Sequence, residues 1–275
     1  MKKLYFILTI ILLAVTNTLQ AQNDSIYLWK NGLLMAQRSI KTADLDSITF
    51  KRPKNPTSIN IPGPNVTDID GNTYQSVTNC GLTFTKQNLN VSKYSDGTPI
   101  PQVTDAQAWQ FLITGAWCYY QNNTANGPVY GKLYNWYAVA GIYDAASAAN
   151  PALRKKLAPT GWHVPTGAEF TELKNCLGGA SVAGGKMKAT GTIQAGTGLW
   201  QDPNANSSAT NESGFTGLPG GSRSIPSCCM GLSGNWWLNS ESGNLAIKSS
   251  LGFDNKFSDG SISKYNGNSV RCVRD

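Results

Sequence analysis

The stretch Gly161-Trp162-His163-Val164-Pro165-Thr166-Gly167-Ala168-Glu169-Phe170 carries the clearest folding instruction in the chain. Thr166 and Glu169 have the spacing of a capping box. The threonine oxygen accepts from the Glu169 amide, and the carboxylate reaches back to the cap amide. Phe170, Leu173 and Leu177 then line one helical face, and Gly178-Gly179 closes the helix. Helical signals elsewhere are few. Thr104-Asp105 caps a second candidate through Ala108, Trp109 and Leu112. Leu133, Trp136, Tyr137 and Ala140 recur at helical spacing after Gly131.

Strand signals surround these helices. Residues 66–77 read as a hairpin that turns at Asp70-Gly71-Asn72, and Leu82-Thr83-Phe84-Thr85 continues as a strand. From Gly184 to Asn235 the chain is Gly, Ser, Asn, Thr and Pro with Trp200, Phe215 and Arg223 interspersed. A run of that kind predicts a long folded loop. The close reads as a meander over 235–239, 245–250, 256–257 and 269–273. Asp254-Asn255, Asp259-Gly260 and Asn266-Gly267 supply its turns. Two or three helices among such strands predict an α+β class.

The N-terminus predicts export. Lys2 and Lys3 precede an apolar run over 4–15, and Leu19-Gln20-Ala21 ends in a small residue, so a secretory signal peptide is expected over 1–21. The run is shorter than the roughly 17–25 residues that span a bilayer. No transmembrane segment is expected after cleavage, and the address is extracellular, cell-surface or periplasmic. Residues 22–50 form a β-hairpin extension, with Lys30-Asn31-Gly32 between the apolar runs and a third short strand at Ser47-Ile48-Thr49-Phe50. Residues 51–64 hold four prolines and read as a stiff linker. The main domain is expected over 65–275.

Charged residues make up only 14% of the chain and glycine is abundant at 28, which favours strands, turns and ordered loops over a helical bundle. Loss of Lys2 and Lys3 lowers the net charge from +7 to +5. The basic triplets Lys51, Arg52, Lys54 and Arg154, Lys155, Lys156 are too scattered for a nucleic-acid binder. Six cysteines, Cys80, Cys118, Cys176, Cys228, Cys229 and Cys272, follow the signal, and an even count in an exported chain predicts disulfides. Adjacent Cys228 and Cys229 are expected to face different partners, because a bond between neighbours strains the peptide.

Several fragments resemble a known family: Asp70-Gly71-Asn72-Thr73-Tyr74, Gln87-Asn88-Leu89-Asn90, Trp117-Cys118-Tyr119-Tyr120, residues 131–139, and the capping-box stretch above. To these belong Asn211-Glu212-Ser213-Gly214-Phe215-Thr216-Gly217-Leu218-Pro219-Gly220-Gly221, Trp236-Trp237-Leu238-Asn239-Ser240-Glu241 and Ser269-Val270-Arg271-Cys272-Val273-Arg274-Asp275. Together they are similar to the Fibrobacter succinogenes major paralogous (FISUMP) domain of secreted bacterial proteins, notably of Bacteroidetes, over roughly 65–275. Leu238-Asn239 and Cys228-Cys229 depart from its pattern. More distantly, Val164–Phe170 and Ser269–Cys272 resemble segments of formylglycine-generating-enzyme-like domains. That likeness implies a C-type-lectin-like mixed fold with paired terminal strands, a hairpin at 66–77 beside a strand at 269–273, and a long loop region. It also implies bridges from Cys118 to Cys272 and from Cys176 to Cys228 or Cys229.

Chemistry-bearing residues are sparse. His163 is the only histidine, so nucleophilic sites that need a neighbouring base have little to draw on. Asp68-Ile69-Asp70-Gly71-Asn72 has a calcium-loop cadence but lacks the downstream bidentate glutamate, and reads as a turn. The oxidase cysteine loop of the formylglycine-generating enzymes has no counterpart. A non-enzymatic binding module is therefore expected, with no metal and no cofactor. Its ligand is a surface glycan or protein, and a structural or adhesive surface role is the alternative. The candidate contacts are Trp200, Asp202, Asn204, Glu212 and Arg223 from the long loop, with Trp237, Asn239 and Glu241 from the adjoining strand. Aromatic faces stack on sugar rings or side chains while amides and carboxylates fix orientation.

Overall fold

A computed structural model describes residues 25–30, 33–39, 59–201, 208–224, 227–252 and 257–275. The expected signal, the strand at 47–50, most of the linker, and candidates Asp202 and Asn204 lie outside them. The described residues fall into two units, each taken by itself. The first is an antiparallel pair of β1 (Ser25–Lys30) and β2 (Leu33–Ser39), with Lys30 opposite Leu33 and a register shift at Leu28/Trp29.

The second unit begins with β3 (Ile61–Thr67), β4 (Thr73–Asn79) and β5 (Leu82–Thr85). β3 takes in Ile61, Pro62, Gly63 and Pro64, which the sequence assigns to the linker. The prolines are tolerated because β3 is the sheet edge, where a missing N–H costs no ladder bond. At the β4–β5 turn, Cys80 (φ 52°) and Gly81 (φ 84°) both take left-handed backbone, as a two-residue hairpin demands. Next come α1 (Ala106–Gln110), β6 (Trp117–Cys118), α2 (Gly127–Tyr130), β7 (Leu133–Tyr134), α3 (Trp136–Val139), α4 (Ala145–Ala149) and β8 (Trp162–His163). α5 (Gly167–Cys176) and α6 (Ala180–Met187) follow. The chain closes with β9 (Gly220–Ser222), β10 (Cys228–Met230), β11 (Gly234–Ser242), β12 (Leu245–Leu251), β13 (Phe257–Ser263) and β14 (Val273–Arg274).

The unit is α+β. One five-stranded sheet runs β3-β4-β5-β14-β8 and another β10-β9-β11-β12-β13, with β6 and β7 paired separately. The last strand joins the sheet of the opening hairpin, but Val273 pairs with Phe84 of β5 rather than with 66–77. Among the described residues there are six α-helical segments, not two or three, and only α5 and α6 run beyond five residues. The capping box forms as expected, with Thr166 and Glu169 exchanging bonds. The helical spacing after Gly131 is split: Leu133 and Tyr134 pair with Cys118 and Trp117, and the helix starts only at Trp136. The loop expected over 184–235 contains the end of α6 and strands β9 and β10. Packing of Ala183 and Met187 into the core overrides the weak helix propensity of Gly184-Gly185. No helix of the described residues is long and apolar enough to cross a membrane.

The interior is aromatic. Phe170 of α5 meets Phe84 edge-on at 5.4 Å and stacks on Phe257 at 5.5 Å between centroids. A second cluster gathers Tyr74, Trp117, Tyr134, Trp136, Trp162 and Trp237. Arg271 is fully buried between them. Its Nε donates to Asn88 Oδ1 (2.7 Å), Nη1 to the carbonyls of Thr85 and Phe215 (both 2.8 Å) and Nη2 to that of Thr216 (3.1 Å). Burial pushes its guanidinium down to about 9, still above neutrality, so the charge is kept at pH 7.

The disulfide expectations need correction. Cys80 bridges Cys176 across a separation of 96 residues, tying the β4–β5 turn to the end of α5. Cys228 bridges its neighbour Cys229. Cys118 and Cys272 are free and buried in different clusters, which is why they do not meet. The vicinal bond forms because Cys229 takes a φ of 77°. Successive side chains of an extended strand point to opposite faces, and this turn brings the two sulfurs to one side.

Replacing Cys80 and Cys176 together by serine is expected to cost about 4.7 kcal/mol, the loop-closure value for a span of this length. The measure is the urea midpoint at constant slope, and an unchanged midpoint would contradict a structural role. Arg271→Met should cost about 3 kcal/mol, because it leaves buried acceptors unpaired. A fully folded variant of wild-type midpoint would overturn that account.

Candidate functional site

The sequence candidates do not assemble. Trp200 is buried, with the Lys188 ammonium 4.9 Å from its ring centre. Trp237 is buried and donates from Nε1 to the Tyr134 carbonyl at 2.7 Å. Arg223 is buried against the Trp109 ring at 4.5 Å. It donates to Asn122 Oδ1 (3.0 Å) and to the carbonyls of Thr104 (2.9 Å) and Asp105 (3.1 Å), holding the start of α1 to the loop before α2. These three side chains are occupied in the interior. Glu212 is exposed and pairs with Lys186 at 3.4 Å. Asn239 and Glu241 are exposed on β11. The Asn239 amide donates to the Pro165 carbonyl, and Glu241 pairs with Lys264 at 2.5 Å. Among the described residues no hydrogen bond or ion pair joins any two of the candidates.

The ionisable groups of the motifs are similarly committed. Asp68 Oδ1 accepts from the amides of Asp70 (2.9 Å) and Asn72 (3.0 Å), and Oδ2 from Tyr74 Oη (2.5 Å) and Asn72 Nδ2 (2.9 Å). Asp70 accepts from the Ser92 amide and hydroxyl and pairs with Lys93 at 3.3 Å. Burial raises its carboxyl, but the Ser92 bonds and Lys93 carry it below its ordinary value. The calcium-loop cadence is thus a turn in which Asp68 serves the turn's own backbone and Asp70 ties it to Ser92 and Lys93. His163 has Nδ1 2.6 Å from Asp275 Oδ1 and Nε2 2.9 Å from Glu169 Oε1, so both ring nitrogens face carboxylates. Glu169 Oε2 accepts the Thr166 amide (2.8 Å) and hydroxyl (2.9 Å).

Concavities lie elsewhere on the described residues. A cleft of about 240 Å³ lies between the Thr67–Ile69 turn and Leu157–Thr160, with Val91, Lys93 and Ser95. A more open groove of about 780 Å³ runs along α5 over Gly167, Ala168, Thr171, Glu172 and Asn175 and ends at Cys80–Cys176. Helix periodicity creates this groove wall. Phe170, Leu173 and Leu177 turn inward, so 168, 171, 172 and 175 recur on the opposite face. The disulfide then fixes the helix end against the hairpin tip. The polar face was visible in the sequence, but its partner wall was not, because that wall depends on a bridge between distant cysteines.

A family model described as the Fibrobacter succinogenes major domain matches residues 77–274. No curated protein and no solved structure matches the chain.

Glu169 supplies a pH test. Burial raises its carboxyl, yet the Thr166 amide and hydroxyl and His163 together lower it below the ordinary 4.5. A carboxylate depressed in the folded state stabilises above its unfolded value, and that stabilisation is lost as pH falls through the folded value. The wild-type melting temperature should therefore drop below about pH 4.5, and Glu169→Gln should flatten the drop. Parallel melting curves from about pH 6 to 3, roughly the window of carboxylate titration, would contradict it.

Proposed function

The chain belongs to the Fibrobacter succinogenes major domain family, and on that premise we propose an exported, non-catalytic binding module that holds its ligand in the α5 groove. The groove carries this reading. Its volume of about 780 Å³ is within the range of small-ligand sites. Ala168 and the Cys80–Cys176 bridge offer an apolar floor, while Thr171, Glu172 and Asn175 offer a hydroxyl, a carboxylate and an amide along one edge. Such a wall suits a chain of sugar hydroxyls or an extended peptide at a cell surface. The capping box and the disulfide hold both ends of α5, so little ordering entropy is lost on binding. The non-catalytic part of the reading is supported by His163, whose two nitrogens are engaged by carboxylates and not by a nucleophile.

Export belongs to the same proposal, on the basic and apolar pattern of residues 1–21. So does the C-type-lectin-like architecture, supported by terminal segments that share one sheet. A structural or adhesive surface role is the second reading. Phe111 and Ile113, 77% and 68% exposed after α1, favour it.

Glycan and peptide arrays probed with the protein beginning at Gln22 test the proposal. Specific binding should be lost in Thr171→Trp and Asn175→Trp with unchanged melting temperature. Trp200→Ala should instead lower stability by about 3 kcal/mol, as large core truncations do. Turnover of an array substrate would reject the non-catalytic reading. Absence of any hit, together with self-association relieved by Phe111→Ser, would favour the adhesive one. Recovery of the chain from the cytosol with residues 1–21 intact would reject export.

A further inference from the structure

We propose that the Cys228–Cys229 disulfide is a thiol-exchange site, opened by small-molecule thiols of the glutathione class and reclosed by their disulfides without unfolding the domain. The two disulfides differ in what the fold does for them. A crosslink that stabilises the folded state is, by thermodynamic reciprocity, itself stabilised by folding. Cys80–Cys176 spans 96 residues, so folding greatly favours its closure. Cys228 and Cys229 are neighbours. Their ring encloses no intervening residue, so folding adds no loop-closure term to it, and its opening frees only the local turn.

Access separates them as well. Cys176 and Cys229 are both half-buried, but Cys80 is buried whereas Cys228 is exposed. β10 is the outer strand of its sheet, paired only on its β9 side, through Cys228 opposite Ser222 and Met230 opposite Gly220. The other thiols offer no competition. Cys118 and Cys272 are buried; desolvation pushes the Cys118 thiol up to about 11 and raises that of Cys272 further. Thiolates, not thiols, carry out exchange, so both are kept silent at neutral pH.

The backbone supplies a consequence. Cys229 sits at φ 77°, left-handed backbone that a β-carbon disfavours, and its carbonyl accepts from the amides of Leu232 (3.0 Å) and Ser233 (2.9 Å). With the ring open, Cys229 is free to leave that region and to release the turn carrying exposed Leu232. A small-molecule thiolate attacks the Cys228 sulfur and forms a mixed disulfide. The Cys228–Cys229 bond breaks, and Cys229 leaves with the electron pair and takes a proton. A second thiolate attacks the bound sulfur of the small molecule and expels Cys228. The protein gains two electrons and two protons, and the small thiol leaves as its own disulfide.

The test is differential alkylation of the folded, full mature protein in graded glutathione without denaturant, followed by peptide mapping. Cys228 and Cys229 should become alkylated at about a tenfold lower thiol concentration than Cys80 and Cys176. Cys118 and Cys272 should stay unlabelled and the near-ultraviolet circular dichroism unchanged. Simultaneous opening of both disulfides, opening only with loss of that signal, or labelling of both residues before any thiol is added would overturn the proposal. Cys229→Ser, which leaves Cys228 alone, should form a stable mixed disulfide with oxidised glutathione. Failure of that adduct to form on folded protein would overturn the assignment of Cys228 as the attacked sulfur.

Discussion

A buried guanidinium organises this fold. Removing Arg271 from water is costly, and the cost is offset only because fixed acceptors surround it. Those acceptors come from two separate stretches: Thr85 at the end of β5 with Asn88 just beyond it, and Phe215-Thr216 after α6. The Phe215 ring also lies 4.5 Å from the guanidinium carbon. Asn88 is the complement. Its Oδ1 accepts from Arg271 Nε and Trp236 Nε1, and its Nδ2 donates to the Tyr130 carbonyl and Ser269 Oγ. That uses every bond the amide can make. Strand and loop segments from both ends of the unit are therefore held by polar groups that cannot be satisfied unless all are in place.

The same device recurs wherever irregular chain is buried. Asn135 Oδ1 accepts the amides of Ala116 and Ala138, and its Nδ2 donates to the Thr114 carbonyl. Asn235 Oδ1 accepts from Lys248 Nζ and Ser250 Oγ, while its Nδ2 reaches Gly221 and Ser233. Buried backbone outside a ladder must find side-chain partners, and short amides provide a donor and an acceptor on one stem. An asparagine-rich, glycine-rich chain can thus keep long loops inside a packed unit. The aromatic indoles follow the same logic: Trp109, Trp117 and Trp237 each donate to a main-chain carbonyl.

This explains which parts of the molecule were legible in the sequence. The Thr166–Glu169 cap, the Asp70-Gly71-Asn72 turn and the Asp105 cap are decided by neighbours, and each forms as its spacing indicates. The role of Arg223 and Trp200 was not legible. Exposed binding arginines and tryptophans have the same composition as buried ones, and only the approach of Trp109, Asn122 and Lys188 from distant positions puts these two inside. The cysteine pairing failed for the same reason. Cys80 is brought to Cys176 by a hairpin tip and a helix end that are far apart in the chain. The groove is partly legible, since its α5 face follows from helical periodicity.

Commitment of the motif aromatics and amides to the interior has a functional corollary. If Trp236, Asn88, Arg271 and Phe215 hold the fold, recognition must be carried by residues that the fold does not need. The outer face of α5 meets that condition, because Ala168, Thr171 and Asn175 project away from the Phe170–Leu173–Leu177 face. Changing them leaves the network of Arg271 and Asn88 untouched. Under the binding role proposed above, the ligand would be set by a few side chains on a helix clamped at both ends. One fold could then serve different ligands in related chains without renegotiating its interior.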